Sequence, residues 1–345
     1  MKSMVLTGIR QMEMRDMPIP ELSRDTDVRL KIFTVGVCGS DIHYYHTGRI
    51  GSQVVKYPFT VGHECAAVVE TVGAAVKNLK PGDRVAVEPA ISCWQCDQCR
   101  ASRPHTCRKL RFLGCPGQAE GCLSEFLVMP QECCLRIAPS MTFEQATLSE
   151  PLAIGLYAAR QSIALKGARI GILGAGPIGL SVMVCARAMG AERIYVTDKI
   201  DRRLDVARRH GADWVGNPGT IPVVEAVTET EPLLLDAVFE CCGEPEAIDH
   251  AVDILKPGGK LMLIGIPTVD RVAFIIDRAR RKELCIQNVR RQNHCAQATL
   301  SLMGQGFLTA DFMVTHRFSF EQTQQAFDLV GAYQDGVVKA MIQIG

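Results

Sequence analysis

The sequence has little net charge and no long hydrophobic run. Its 38 Lys and Arg residues nearly balance 37 Asp and Glu residues, which gives a formal net charge of +1. Nucleic-acid binders usually carry a basic excess or a basic stripe, so this balance argues against a nucleic-acid partner. No stretch is apolar and uncharged over the roughly eighteen residues that a membrane helix needs. We therefore expect neither a nucleic-acid partner nor a membrane span.

We expect no secretory signal, and the sequence shows no internal repeats or low-complexity segments. Its N-terminal segment, MKSMVLTGIRQMEMRDMPIP, carries charges early and has only a short apolar patch, unlike a secretory signal. The 15 cysteines are an odd number and are scattered along the chain. This usage favours metal ligands and buried thiols in a reducing compartment over a disulfide framework, so we expect a cytoplasmic location. The 345 residues, 47% of them hydrophobic, are enough for two domains with sizeable cores.

Potential metal ligands are concentrated in residues 36–64, around which the rest of the chain is best interpreted. This stretch contains Cys38, His43, His63 and Glu64. Cys, His and carboxylate groups are the usual zinc ligands, and a catalytic zinc takes three of them and leaves a fourth position open. Cys38 with the His63–Glu64 pair can supply such a set. The alternative from residue types alone is a buried cysteine and a solvated histidine.

A second cluster of thiols follows in residues 93–107, with the spacing C-x2-C-x2-C-x7-C. Four cysteines form a closed tetrahedral zinc site that holds a loop without doing chemistry. An iron–sulfur cluster with similar spacing needs its fourth cysteine sooner and usually followed by proline. Structural zinc is therefore the favoured interpretation, with a cluster or free thiols as the alternatives. Its four ligands would be Cys93, Cys96, Cys99 and Cys107.

A glycine-rich turn lies between a predicted strand and a predicted helix. Gly174, Gly176 and Gly179 form G-x-G-x-x-G, in which the glycines allow a tight turn, close approach of a pyrophosphate and close helix–strand packing. The next predicted strand ends at Asp198, which is placed to accept the ribose hydroxyls and to repel a 2′-phosphate. The pattern predicts a dinucleotide site that prefers NAD, with Arg203 near the adenine side.

The remaining pattern predicts an α/β protein. Short alternating runs such as Asp27–Val35 indicate a β-rich N-terminal unit. Strands and helices alternate after residue 168, which predicts a parallel, doubly wound sheet with right-handed crossovers. Helical spacing over residues 148–160 predicts a helix that starts at Pro151. The tail beyond about Gln292 is expected to lie outside the nucleotide unit.

These residues together resemble the zinc-dependent medium-chain alcohol dehydrogenases, and within that family the sorbitol and xylitol (polyol) dehydrogenases. The matching motifs span nearly the whole chain: CGSDIHYYHTGRIG at 38–51, VKYPFTVGHE at 55–64, the four-cysteine lobe, SEPL at 149–152, GAGPIG at 174–179, VTD at 196–198 and VTHRF at 314–318. The resemblance implies a GroES-like, β-rich catalytic domain of residues 1–150 and 287–345, and a Rossmann domain of residues 151–286. It also implies one catalytic and one structural zinc per chain, NAD as the cofactor, and a homodimer or homotetramer.

The resemblance also assigns roles to single residues. Cys38, His63 and Glu64 match the catalytic zinc ligands. Ser40 and His43 match a proton path, and Glu150 matches an acid near the zinc. The matched cofactor contacts are Ile178, Asp198 and Arg203, with the backbone of Ile264, Gly265, Ile266, Asn288, Val289 and Arg290. The matched substrate positions are Tyr44, Phe112, Glu150 and Arg290.

The chain departs from the polyol pattern after the pocket arginine. Polyol enzymes usually carry an aromatic residue there, whereas this chain has Arg291. A second guanidinium suits a carboxylate, which Arg binds through two hydrogen bonds. The expected reaction is reversible NAD-dependent oxidation of a polyol to a ketose. The alternatives are a sugar-acid (gulonate, idonate or galactonate) 5-dehydrogenase, a threonine 3-dehydrogenase, and an NAD-binding sensor without zinc chemistry.

Overall fold

The chain forms two units, each with its own core. The computed structural model describes residues Met1–Gly345. The first unit combines Met1–Glu150 with Met313–Gly345, and the second unit is Pro151–Phe312. Thus the second unit is inserted between two parts of the first. None of the helices combines the length and the apolar character needed to cross a lipid bilayer.

The N-terminal part of the first unit is mostly β-structure with two short helices. Its elements are β1 (Lys2–Gly8), β2 (Gln11–Asp16), β3 (Asp27–Gly36), α1 (Gly39–Thr47), β4 (Arg49–Ile50), β5 (Gln53–Val54), β6 (Glu64–Val72), β7 (Arg84–Val87), β8 (Ala90–Ile91), α2 (Asp97–Arg100), β9 (Arg111–Phe112), β10 (Phe126–Pro130) and β11 (Cys134–Arg136). The predicted strand at Asp27–Val35 is confirmed, with one more residue at its end.

A long helix, α3 (Phe143–Gln161), joins the two units along the chain. The prediction that this helix starts at Pro151 is wrong, because Pro151 lies inside it. The helix begins instead at a reciprocal cap: the Gln145 N–H donates to Thr142 Oγ1 at 3.1 Å, and the Thr142 N–H donates to Gln145 Oε1 at 2.9 Å. This Thr-x-x-Gln pattern satisfies two backbone donors at the helix start and is itself a sequence signal.

The second unit alternates strands and helices. It contains β12 (Arg169–Leu173), α4 (Pro177–Ala188), β13 (Arg193–Thr197), α5 (Asp201–Arg209), β14 (Trp214–Gly216), α6 (Val223–Thr230), β15 (Leu235–Glu240), α7 (Pro245–Ile254), β16 (Leu255–Leu263), α8 (Ile276–Arg281), β17 (Cys285–Asn288) and α9 (Ala296–Gly304). The six strands form one sheet in the order β14-β13-β12-β15-β16-β17, and every pair is parallel. The predicted doubly wound α/β class is confirmed.

The chain returns to the first unit later than residue 287, the boundary expected from sequence. β17 pairs with β16 through Lys260↔Cys285 to Leu263↔Asn288, so its backbone belongs to the parallel sheet. The following helix α9 also lies in the second unit, which ends at Phe312. The predicted exit of the tail from the nucleotide unit, near Gln292, lies about twenty residues before this division and stays a prediction.

The tail completes the main sheet of the first unit. It contributes β18 (Val314–Ser319), α10 (Thr323–Gly331) and β19 (Lys339–Gln343). The sheet runs in the order β11-β7-β6-β3-β19-β18, and β10 also pairs with β3. Its pairs are antiparallel except β18–β19. β3 is central, and its alternate residues Val28, Leu30 and Ile32 are fully buried in the core. The C-terminal strand thus lies directly beside the segment that leads to Cys38.

Candidate metal centre and nucleotide site

The start of α1 positions the first candidate ligand. Cys38 directly precedes the helix in an extended conformation, with φ −100° and ψ 152°. Its backbone N–H donates to Asp41 Oδ2 at 3.1 Å, and the Asp41 N–H donates back to the Cys38 carbonyl at 3.1 Å. The Ser40 hydroxyl lies 3.5 Å from Cys38 Sγ. The thiol is therefore fixed at the N-terminus of a capped helix, with a hydroxyl beside it.

The structure brings the three predicted ligands of the catalytic zinc together. The ligand atoms of Cys38, His63 and Glu64 all lie within 4.8 Å of one another. Glu64 is the first residue of β6 and pairs with Gly36 of β3. A Cβ at Gly36 would collide with the Glu64 carboxylate, so only glycine leaves room for that group here. A thiol, an imidazole and a carboxylate in this arrangement fit the donor set of a zinc site with an open position.

Asp41 holds this ligand set together, although it is not among the predicted site residues. Its side chain is fully buried. Oδ1 accepts the Gly62 N–H at 3.2 Å and lies 3.3 Å from His63 Nδ1. Burial alone would lower the pKa of His63, but the negative groups of Asp41 and Cys38 raise it well above its usual value. A carboxylate on Nδ1 fixes the imidazole orientation and leaves Nε2 for a metal, as expected for a supporting residue.

Lys339 of β19 is the second supporting residue that was missed. Its Nζ donates to Glu64 Oε1 at 2.8 Å, to Glu64 Oε2 at 2.7 Å and to the Val37 carbonyl at 3.1 Å. Both side chains of this ion pair are 1% exposed. Lys339 therefore supplies a buried positive charge that engages both oxygens of a predicted zinc ligand.

Glu150 lies near these groups with one carboxylate oxygen unused. Its Oε2 is buried and has no hydrogen-bond partner. Burial raises the pKa of Glu150 to about 8; the charges of Glu64 and Glu88 also raise it, whereas His63 and Lys339 oppose the shift. A buried carboxylate oxygen without a partner normally indicates a group that the protein binds, such as an ordered water or an ion. This agrees with the predicted acid near the zinc.

One face of α1 carries the predicted proton path and a predicted substrate position. Ser40, His43 and Tyr44 are spaced i, i+3 and i+4, so they are neighbours on the helix surface. His43 is half-buried, and burial together with the nearby His46 lowers its pKa. An imidazole with a lowered pKa is neutral at pH 7 and can accept a proton. This face of α1 therefore places Ser40 and His43, which can transfer a proton, after the Cys38 thiol.

Phe112 lies beside the metal centre, and Tyr44 contacts Gln53 and Cys115. The Phe112 ring is 5.3 Å from the His63 ring, measured between centroids. Tyr44 is buried, and its hydroxyl donates to Gln53 Oε1 at 3.1 Å and lies 3.7 Å from Cys115 Sγ. Neither Cys115 nor Gln53 is among the predicted site residues. Neither residue type carries a distinctive signal, so only the fold shows that both contact Tyr44, a predicted substrate position.

The four predicted ligands of the structural zinc also converge. Their sulfur atoms lie within 4.8 Å of one another, with Cys96 Sγ 3.6 Å from Cys99 Sγ and 3.9 Å from Cys107 Sγ. The Cys93 N–H and the Lys109 N–H each donate to Cys107 Sγ at 3.3 Å. Backbone N–H groups directed at sulfur stabilise thiolates, the form that binds metal. The arrangement fits a closed four-thiolate site.

The glycine-rich turn has the conformation expected of a dinucleotide site. Gly174 has φ +107°, which favours glycine, and a Cβ at Gly179 would collide with the Gly174 carbonyl oxygen. Gly176 directly precedes α4, and Ile178 lies in the first turn of that helix. The positive end of the helix dipole therefore faces the turn, where a pyrophosphate would bind.

Asp198 and Arg203 both approach this turn. Asp198 Oδ2 accepts the Ala175 N–H at 2.7 Å, and Oδ1 accepts the Ile200 N–H at 2.8 Å. Arg203 is buried, and its Nη1 is 3.7 Å from the position of a Cβ on Gly176. The guanidinium thus lies beside the phosphate-binding turn. The carboxylate is held at the carboxyl end of β13, as the prediction of a ribose contact requires.

The other predicted cofactor contacts follow the next two strands of the sheet. Ile264, Gly265 and Ile266 follow β16, and Val289 and Arg290 follow Asn288, the last residue of β17. The N–H groups of Ile264 and Gly265 donate to the Glu240 carbonyl at 2.9 Å and 3.1 Å, and the Val289 N–H donates to Leu263 O at 2.8 Å. All these segments lie at the carboxyl edge of the parallel sheet, where dinucleotides bind.

Glu240 organises this edge and was not predicted. Its side chain is buried, and Oε1 accepts the N–H groups of Cys242 and Gly243 at 2.7 Å and 2.6 Å.

Arg290 and Arg291 lie in the second unit, Arg290 exposed and Arg291 half-buried with φ +53°. The roles of all these residues in binding stay predictions.

Comparison with known proteins gives a consistent picture. Residues 24–139 match the alcohol dehydrogenase GroES-like domain, and residues 177–305 match the zinc-binding dehydrogenase domain. The chain is 34% identical to the sorbitol dehydrogenase of Bacillus subtilis over 99% of its own length and 97% of the relative. It is also 34% identical to the L-idonate 5-dehydrogenase of Vitis vinifera, over 98% and 93% of the two chains. An alcohol dehydrogenase from Escherichia coli, solved with NADH, superposes with a TM-score of 0.91 at 27% identity, over 99% of each chain.

The chain belongs to the zinc-dependent medium-chain alcohol dehydrogenase family. It is a dehydrogenase of the sorbitol dehydrogenase-like branch, and the family expected from the sequence motifs is confirmed. The resemblance to both a sorbitol and an idonate dehydrogenase leaves the choice of substrate to the chemistry of the site.

Proposed function

We propose that the protein reversibly oxidises a secondary alcohol of a polyol, such as sorbitol or xylitol, to a ketose with NAD as the hydride acceptor. The observation that carries this proposal is the convergence of Cys38, His63 and Glu64 beside the unpartnered Glu150 oxygen. Such a donor set suits zinc with an exchangeable position. The chain would hold two zinc ions, one here and one in the four-cysteine lobe.

The residues of the first unit would handle the substrate proton. When zinc is bound by Cys38, His63 and Glu64, it supplies Lewis-acid polarisation that lowers the pKa of a substrate hydroxyl. The Ser40 hydroxyl, next to Cys38 Sγ, would accept the released proton and pass it to neutral His43. Glu150 would hold a water with its free oxygen rather than bind the metal, because a third ionised ligand would weaken the Lewis acid.

The residues of the second unit would hold the cofactor. The Gly174–Gly179 turn and the start of α4 suit the pyrophosphate, and Arg203 places a positive charge beside them. Asp198 suits the ribose hydroxyls and disfavours a 2′-phosphate, which supports NAD over NADP. NAD held by these residues would supply the hydride acceptor for the oxidation.

The named polar groups on the substrate side of the first unit favour a neutral substrate. Ser40, Tyr44 and Gln53 offer hydroxyl and amide groups, which bind hydroxyls well. The buried cation at the metal centre, Lys339, is already engaged by Glu64. A sugar acid remains the second candidate, because Arg290 and Arg291 follow β17 and guanidinium groups suit a carboxylate.

Steady-state formation of NADH by the zinc-loaded protein tests the proposal. The panel comprises sorbitol, xylitol, galactitol and arabinitol, together with gulonate, idonate and galactonate, and threonine. We expect the polyols to show the highest kcat/KM, and metal analysis to give two zinc ions per chain. Better turnover of the aldonates, with Arg291→Tyr shifting the preference back to polyols, would establish the sugar-acid alternative. Turnover of threonine alone would establish a threonine dehydrogenase, and the absence of zinc and turnover would leave an NAD-binding sensor.

The family also suggests a homodimer or homotetramer in a reducing, cytoplasmic environment. β17 is an edge strand of the six-stranded sheet, and the nearby Ile275 and Ile276 are exposed. Unpaired edges and exposed apolar groups are common at subunit interfaces. All 15 cysteines are unpaired, as a reducing compartment would leave them. Sedimentation of Ile276→Lys tests the assembly: we expect dissociation. Leu233→Lys, at a residue that is also highly exposed, should leave the mass unchanged.

A further inference from the structure

A small hairpin brings an amide to the predicted substrate side of the metal centre. Helix α1 ends at Gly48, whose φ is +70° and whose N–H donates to the Tyr44 carbonyl at 3.0 Å. The chain then forms the β4–β5 hairpin, in which Ile50 pairs with Gln53. The Val55 N–H returns to the Gly48 carbonyl at 2.8 Å. These bonds fix the hairpin directly after the helix that carries Ser40, His43 and Tyr44.

The Gln53 amide is held at one end and available at the other. The Tyr44 hydroxyl donates to Gln53 Oε1 at 3.1 Å, and Tyr44 itself is 4% exposed. A glutamine amide has one acceptor end and one donor end. Gln53 Nε2 makes no hydrogen bond within the chain, and the residue is half-buried. If the amide is turned round, Nε2 meets the tyrosine and the free end becomes the acceptor, so one end is available in either orientation.

A continuous set of contacts connects this amide to the metal centre. The Tyr44 hydroxyl lies 3.7 Å from Cys115 Sγ, and the Cys115 N–H donates to the Phe112 carbonyl at 3.2 Å. The Phe112 ring in turn lies beside the His63 ring. On the other side, Tyr44 follows Ser40 by one helical turn. The Gln53 amide is therefore connected to His63 through Tyr44, Cys115 and Phe112.

We infer that Gln53 is a specificity-determining residue, whose amide, oriented by Tyr44, hydrogen-bonds a polyol hydroxyl away from the reacting carbon. This inference rests on the proposed polyol oxidation. A neutral amide suits a hydroxyl because each group can donate and accept. An amide that does not touch the reacting atoms adds binding that is equal in the ground state and the transition state. Loss of such binding raises KM and leaves kcat unchanged.

The test combines Gln53→Leu with substrates that lack single hydroxyls. For the intact polyol we expect Gln53→Leu to raise KM about three- to tenfold, the equivalent of one neutral hydrogen bond, and to keep kcat within about twofold. For the deoxy analogue without the contacted hydroxyl, wild type and Gln53→Leu should have the same KM. Gln325→Leu is the matched control, because Gln325 is exposed on α10; its KM should equal that of wild type.

A purely structural role of Gln53 predicts a different pattern. It would change KM by the same factor for every analogue, or lower kcat with all substrates, and either result would overturn the inference. Tyr44→Phe adds a second check: because Tyr44 orients the amide, its effect on KM should be smaller in the Gln53→Leu background than in wild type. Failure of wild type to oxidise any polyol would instead refute the proposed function itself, so the two failures are distinguishable.

Discussion

Replacement of Lys339 by methionine leaves Glu64 buried without its cation. Both side chains are 1% exposed, and Lys339 Nζ binds both carboxylate oxygens and the Val37 carbonyl. Removal of one partner of a buried ion pair costs about 3–5 kcal/mol, because the remaining charge keeps its desolvation penalty. We therefore expect Lys339→Met to lower the free energy of unfolding of the metal-free protein by about this amount.

Denaturant unfolding of the metal-free chain measures this cost. The matched control is Lys2→Met, which removes an ion pair with Asp16 whose side chains are 52% and 80% exposed; it should cost less than about 1 kcal/mol. The double variant Lys339→Met/Glu64→Gln removes both charges and should recover most of the loss. A single variant within about 1 kcal/mol of wild type, or a double variant no more stable than the single one, would refute the reasoning.

Bound zinc should reduce the loss of unfolding free energy caused by Lys339→Met, because the metal offers Glu64 a second positive partner. We expect the cost of Lys339→Met to fall when zinc is bound. Any such fall equals a gain in the free energy of zinc binding, since the two equilibria are linked. Titration of zinc into Lys339→Met should therefore show tighter binding than in wild type. An equal cost in the metal-free and zinc-loaded proteins would show that Glu64 does not bind the metal.

Three further predictions concern the other groups of the two sites. Asp41→Asn should weaken zinc binding about 10–100-fold, because the residue orients His63 through Nδ1; metal competition with a chelator measures the affinity. The kcat/KM for alcohol oxidation should fall as His43 becomes protonated, with a midpoint below 6.5 since burial lowers the pKa of His43, and His43→Gln should remove that limb of the pH profile. Asp198→Ala should raise KM for NAD and lower the preference for NAD over NADP in initial rates, because the carboxylate no longer repels a 2′-phosphate; an unchanged cofactor preference would contradict the ribose assignment.

The candidate sites were predictable where the signal is local and chemically unusual. Four thiols in fifteen residues and three glycines between a strand and a helix each indicate a site from their spacing. The Cys38 and His63–Glu64 pattern was compatible with a zinc site, and the family resemblance was needed to favour it over a buried cysteine and a solvated histidine. Each of the thiol and glycine motifs is formed by residues close together in sequence, so its interpretation depends little on the rest of the fold. The fold class followed from the alternation of strands and helices for the same reason.

The supporting residues were not predictable in this way. Lys339 and Glu64 are far apart in sequence, and a lone lysine in a C-terminal strand carries no signal of a partner. Gln53 and Glu240 are common residue types whose meaning depends on which loop folds against them. Asp41 is different: it follows Cys38 by three residues at a helix start, and this capping pattern was available in the sequence.

The boundary errors have equally local causes. Pro151 looked like a helix start, but the cap formed by Thr142 and Gln145 starts the helix nine residues upstream of the proline and leaves the proline inside it. The predicted return to the first unit lies earlier in the chain than the division after Phe312, because the edge strand β17 and the helix α9 carry no motif that assigns them to the second unit.

The position of Lys339 has a consequence for how the protein is made. During synthesis the ribosome releases Cys38, His63 and Glu64 early, but their buried counter-charge comes from a strand 275 residues after Glu64. The nascent chain must therefore keep the Glu64 carboxylate hydrated, or neutralise it in another way, until β19 takes its place beside β3. A polypeptide that terminates prematurely, before this lysine, would carry all three predicted ligands and still lack a stably buried centre. Cellular quality control would then recognise an incomplete chain by the exposed surface of its first unit, and not by its lack of activity.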